Sequence, residues 1–226
     1  MSTTRAKLIQ QAALRMDEIS PESVIIESVG PADNNPLYEL IDGLVEDAML
    51  ELFSVAPYWR LSQTFFPATD IALETIFSGT KYERKMIRIR LGEDFLRAAE
   101  ILHPSFLRPI TEVFAENSSE GRRQHNRYLF GKTAKPVAVM SHGLWNGEPC
   151  REIDCYSVSK DVTDASEVTA SYIAKPTITI NSNIELAVPP VLVPALEWLL
   201  AARAFGARGD ANHAAICQQN AQNLIM

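Results

Sequence analysis

The sequence predicts an α+β protein: a helical bundle formed by N- and C-terminal helices, with an inserted β-rich region between them. Apolar residues recur at helical spacing near both ends of the chain, over 3–19, 36–52 and 190–225, whereas from Lys81 onward the apolar period falls to two. A glycine hinge between two helical patterns near the C-terminus supplies the third indication. The expected division is an N-terminal helix or arm over 1–35, a helical core from 36–80 with 188–226, and an inserted α+β subdomain over 81–187.

Ile9, Ala12, Ala13, Met16 and Ile19 share one helical face, and Ser20-Pro21 ends that pattern because a residue before proline avoids the helical region. Val24-Ile25-Ile26 reads as a short strand or an extended arm, and residues 30–35 as a loop. A second helix begins at Pro36 with Asn35 as its cap, turning Leu37, Leu40, Ile41, Leu44, Ala48 and Leu52 inward. Its opposite side is acidic, with Glu39, Asp42, Glu46, Asp47 and Glu51. Such a face is either a solvated exterior or, in a ring, a wall of a channel. Pro57-Tyr58-Trp59 breaks the helix.

Ile87, Ile89 and Leu91 alternate with Arg88 and Arg90, the pattern of a half-buried strand. A short helix is expected over Asp94 to Leu102, with Phe95, Ala98, Ala99 and Leu102 inward and Pro104 as its stop. Strands are expected over 136–141, 152–158, 168–174 and 177–180. Near the end, Pro189-Pro190 suits a first helical turn. Leu192, Leu196, Leu199 and Leu200 form one stripe and Trp198, Ala202 and Phe205 another, leaving the strip with Glu197 to meet water. Gly206 to Gly209 reverses the chain, and Asp210 caps a last helix whose stripe is Ala214, Cys217, Ala221 and Leu224.

The 226 residues are 46% hydrophobic and 22% charged, ordinary for a globular chain. A net charge of −7 argues against general nucleic-acid binding, yet suits a surface past which DNA slides without being gripped. The N-terminus is a poor signal peptide, and no run approaches the roughly 18 apolar residues of a membrane span, so a soluble protein made inside the cell, with no membrane contact, is expected. Cys150, Cys155 and Cys217 have no zinc spacing and read as reduced thiols.

The sequence predicts no catalytic, metal-binding or cofactor-binding residues. His103, His125, His142 and His213 fall in no HxH or HExxH pattern. Ser78-Gly79-Thr80-Lys81 and Gly131-Lys132-Thr133 resemble the end of a phosphate-binding loop, but both lack the upstream glycine. The basic run Arg122-Arg123-Gln124-His125-Asn126-Arg127 is read as contact with a neighbouring, acidic protein.

The order of three segments resembles the tail tubular, or ring adaptor, proteins of short-tailed bacteriophages, including the ring proteins of crAss-like phages. These are Asp42-Gly43-Leu44-Val45-Glu46-Asp47-Ala48, residues 119–137 with Ser119-Glu120-Gly121-Arg122-Arg123 and Gly131-Lys132-Thr133, and the closing helices from Pro190 to Phe205 and from Gly209 to Ile225. The resemblance covers most of residues 36–226. It implies a structural virion protein, not an enzyme, at the head-to-tail junction. It implies a homo-oligomeric ring of twelve copies that contacts the portal and other tail or ring proteins and passes double-stranded DNA. On this reading Glu39, Asp42 and Glu46 face the channel, and Arg122, Arg123, Arg127, Asn212, Gln218, Gln219 and Gln222 contact neighbours. The alternatives are an enzyme with a nonstandard site in the β insertion, or an interaction module unconnected with phage.

Overall fold

The computed structural model describes residues 3–19, 36–126, 128–177 and 185–226. Within these the chain is mixed α+β, with six α-helices and two sheets. It divides into two compact units: residues 1–62 with 175–226, and residues 63–174. The boundaries expected near 80 and 187 therefore move to 62 and 174. The reason is strand pairing: β1 (Thr64–Phe65) and β2 (Ile71–Ile76) pair with later strands and belong to the β unit. The expected strand or arm at Val24–Ile26, the 30–35 loop, the Asn35 cap and most of the strand at 177–180 lie outside the described residues, as does Arg127.

In the first unit, α1 (Arg5–Ile19) buries Leu8, Ile9, Ala12, Ala13 and Met16. It packs on α5 (Val193–Ala207) as a core element rather than a peripheral arm. The single helix expected from Pro36 is two, α2 (Pro36–Gly43) and α3 (Val45–Val55), with Leu44 between them. Gly43 is a weak helix former, which favours the break at this point. Ala56 turns extended before Pro57 and ends α3.

Helix α5 buries nine of its fifteen residues. Glu197 is one of them, so the strip expected to meet water is instead closed by Arg15 of α1, whose guanidinium lies 3.1 Å from Glu197 Oε2. The stretch Pro190–Ala207 is, contrary to the sequence expectation, long and apolar enough by composition to cross a membrane. Its packing against α1, α3 and α6 (Ala211–Ile225) gives it the role of a central core helix. Gly209, at φ 81°, provides the left-handed step of the reversal. The Asp210 carboxylate accepts the His213 amide at 3.2 Å, capping α6 as its sequence predicts.

The second unit is two sheets around a main core, with a smaller apolar cluster of Met86, Val137, Val139 and Tyr156 on the larger sheet. The strands β3 (Arg84–Arg90), β4 (Phe95–Leu102), β5 (Val113–Ala115), β6 (Val137–Trp145), β7 (Glu148–Val158) and β8 (Thr169–Ala174) join β1 and β2 in the orders β1-β8-β4 and β2-β3-β7-β6-β5. All pairings are antiparallel except β5 with β6. Ile87, Ile89, Ile153 and Cys155 from the larger sheet meet Phe95, Ile101, Ala170 and Tyr172 from the smaller, with Phe66 and Phe106 in the same cluster. The β6–β7 hairpin turns on Asn146 and Gly147, both at positive φ, as a two-residue turn matched to strand twist requires. The expected helix at 94–102 is β4. Register shifts at 95/97 and 98/100 break its alternation, which is why its apolar residues mimic helical spacing.

Candidate functional site

Helix α6 presents the least ordinary surface of the helical unit. Its inward face is Cys217, Ala221 and Ile225, so the expected stripe is shifted: Leu224 points outward, 41% exposed, and Ile225 takes the buried place. Burial raises the Cys217 thiol to about 11, and the Asp210 carboxylate adds to that, so it stays a protonated packing group. The outward face carries Asn212, Ile216, Gln219, Asn223 and Met226 at helical spacing, with Ala215 and Gln222 beside them. Ile216 is 46% and Met226 82% exposed. Gln219 donates to Asn223 at 3.1 Å along this face. The helix contains no Asp, Glu, Lys or Arg at any of its fifteen positions. A solvent-facing helix normally carries charge, whereas amides and aliphatics without charge are cheap to desolvate against another protein.

Two polar clamps fix this helix. Gln218, expected to contact a partner, turns inward and donates to Glu51 Oε1 at 2.8 Å. Glu51 Oε2 also accepts from Arg203 at 2.8 and 3.1 Å, so one carboxylate ties α3, α5 and α6 together. Arg60 donates to the main-chain oxygens of Leu224, Ile225 and Met226 at 3.0–3.1 Å. These are oxygens that a helix end leaves without internal partners, and the cation also meets the negative end of the helix dipole. Arg60→Ala is expected to fray the last turn and cost about 1–2 kcal/mol. Faster hydrogen exchange at Leu224–Met226, with exchange in α1 unchanged, is the readout.

Glu39 and Glu46 are exposed, as a channel-facing role needs, but Asp42 is not free: it pairs with Arg5 of α1 and is only half exposed. In the β unit, Arg122 and Arg123 are exposed on α4 (Ser119–Gln124), which Ser118 caps by accepting the Gly121 amide at 3.0 Å. Gln124 is buried, with its amide bonded to Glu120 O and its carbonyl accepting the Gly131 N–H at 2.8 Å. Arg123 therefore stands on the rim of a groove of about 700 Å³, with Arg108, Lys132 and Lys135 as further cations and Glu112 and Glu120 as carboxylates.

The outer face of the larger sheet holds a charge network that sequence reading missed. Arg88 reaches Asp154 at 2.9 Å, Glu74 at 2.8 Å and Glu152 at 3.1 Å, and Ser141 donates to Asp154 at 2.9 Å. The Arg88–Glu152 approach is ionic, without the direction of a hydrogen bond, since Glu152 Oε2 has no hydrogen-bond donor. Burial disfavours the Arg88 charge, but the Asp154 hydrogen bond and the three carboxylate charges outweigh it and raise its pKa. Cys150 lies on this face beside Glu152, and Cys155 on the opposite, core face, as their five-residue spacing predicts. Burial pushes both thiols up, Cys155 most strongly. Among the described residues, no three His, Cys, Asp or Glu side chains gather to hold a metal. Comparison with protein-family models and with curated proteins gives no match to this chain.

Proposed function

We propose that the chain is a structural virion protein: a ring-forming head-to-tail adaptor that sits between portal and tail, continues the DNA channel and supports tail assembly. The observation that carries this reading is the uncharged, partly apolar outer face of α6, held rigid by Arg60 and by the Glu51–Gln218 bond. The organisation agrees with it. Helices from both ends of the chain belong to one compact unit, and the β unit is nested between them in sequence.

In such a ring each subunit meets its two neighbours through two different patches, and closure follows if their rotation completes a circle, here of twelve copies. The α6 face is one patch, through Asn212, Ile216, Gln219 and Gln222. Arg122 and Arg123 on α4 suit an acidic surface of a neighbour, the portal or a later tail protein. Glu39 and Glu46 face the channel, where repulsion keeps DNA from adhering as it passes.

Electron cryo-microscopy of the virion neck, or of the protein mixed with its portal, tests the proposal. The expected result is a ring of density at the portal into which both units fit, with α6 at a subunit boundary. A neck without this chain rejects the adaptor reading, and a ring with α6 facing solvent rejects the assignment of its interface.

A further inference from the structure

The β unit holds a buried cation with no acceptor. Arg84 opens β3, pairs in register with Ile76 of β2, and is only 6% exposed. Its guanidinium lies over the Phe130 ring and 5.6 Å from the centre of the Phe77 ring. Ring faces satisfy the flat sides of a guanidinium, but its N–H donors point outward from the edge, and here Nε, Nη1 and Nη2 are all buried with no hydrogen-bond partner. Such donors are costly to leave unmade, the more so on a charged group.

A second orphan lies beside it. Ser157 is the extra residue of a β-bulge, where Tyr156 and Ser157 together oppose Met86, and its φ of 90° is strained for a residue with a side chain. Its buried hydroxyl also has no partner. Arg84 and Ser157 line one pocket of about 260 Å³ with Lys81, Tyr82, Lys132 and Thr133. The two segments whose sequences resemble a phosphate-loop ending, at Lys81 and at Gly131-Lys132-Thr133, thus converge here although neither is such a loop. Glu83 is the one carboxylate in the lining, and it already accepts the Gly79 amide at 2.8 Å.

We propose that this pocket binds a phosphate group, either inorganic phosphate or a terminal phosphomonoester. Three cations against one engaged carboxylate favour a dianion over a single carboxylate. A tetrahedral oxyanion offers acceptors to the guanidinium fork and the Ser157 hydroxyl at the same time, with Lys81 and Lys132 at the mouth. Burial lowers Arg84 to about 10, so it remains charged at neutral pH, and a bound anion removes the penalty its burial carries.

The test is calorimetric titration with inorganic phosphate in chloride buffer of constant ionic strength, using the full chain. One phosphate per chain is expected, weakened about tenfold or more in Arg84→Met and less in Ser157→Ala, whose smaller side chain is tolerated at the same place. Circular dichroism checks that both variants are folded. Binding of inorganic phosphate but not methyl phosphate assigns a free-phosphate site, and equal binding of both assigns a phosphomonoester ligand. Dimethyl phosphate, a diester like the DNA backbone, is expected not to bind. Absence of saturable binding to the wild-type chain, equal affinity in Arg84→Met and Ser157→Ala to that of the wild type, or equal binding of the diester overturns the proposal. Ring formation is not read in this titration, so the phosphate site and the adaptor function stand or fall separately.

Discussion

Replacing Ile216 and Gln219 together with aspartate is expected to leave a folded monomer that no longer enters rings. Both side chains point away from the inward stripe of Cys217, Ala221 and Ile225, so the substitutions add exposed charge without disturbing packing between α5 and α6. In the free chain the cost is small, since surface substitutions are usually within about 0.5 kcal/mol. In a ring it is large, because each interface then buries two unpaired carboxylates, and burying an unpaired charge costs several kcal/mol. The penalty recurs at every interface, so closure fails cooperatively. Sedimentation of the variant with the portal, beside a thermal melt of the variant alone, reads the two effects. A normal melt with loss of co-sedimentation is the expected pair. Rings at wild-type stoichiometry from the doubly charged variant would remove α6 from the interface.

The parts of the molecule legible in sequence are those set by local chemistry. The hairpin of α5 and α6 is written in Pro190, Gly209 and Asp210, each of which acts on backbone within a few residues of itself. The strand β3 is written in the alternation of Ile87, Ile89 and Leu91 with Arg88 and Arg90. What stayed hidden depends on partners distant in sequence. Glu197 reads as a solvent-facing charge until Arg15, 182 residues away, closes over it. Gln218 reads as an interface amide until its side-chain N–H is seen to donate a hydrogen bond to Glu51. Residues 71–76 alternate Ile71, Leu73 and Thr75 with Ala72 and Glu74, so a signal for β2 existed in the sequence. It is weak because none of those positions is fully buried. The segments at Lys81 and at Gly131-Lys132-Thr133 each resemble a phosphate-loop ending, but nothing local in the sequence shows that they meet in one pocket. Lys81, Arg84, Lys132 and Ser157 come from three separate stretches; the pairing of β3 with β7, and the bulge within it, sets Arg84 near Ser157, and the 131–133 segment completes the lining.

The same dependence on long-range pairing makes Arg88 a vulnerable position of the β unit. Glu152 is 1% and Asp154 5% exposed, and Arg88 is the cation that faces both. A Cβ on Gly143 of the neighbouring strand would overlap the Glu152 carboxylate, so the site is closed on that side and has little room for solvent. Arg88→Met keeps much of the stem but leaves two buried carboxylates facing one another, and removing one partner of a buried ion pair costs about 3–5 kcal/mol. That is a large share of the roughly 5–15 kcal/mol that stabilises a domain. The loss should arise from the stranded charges rather than from the missing arginine contacts, and the two causes separate in a cycle of substitutions. Adding Glu152→Gln and Asp154→Asn to Arg88→Met neutralises both carboxylates at nearly constant volume. Most of the lost stability is expected to return, in urea unfolding with hydrogen exchange at β3 and β7 to localise it. If the triple variant stays as unstable as Arg88→Met alone, packing by the arginine stem holds these strands together and the charge balance is incidental. If Arg88→Met costs less than about 1 kcal/mol, the penalty assigned to breaking a buried ion pair does not apply here, and water reaches Glu152 and Asp154 once the guanidinium is gone.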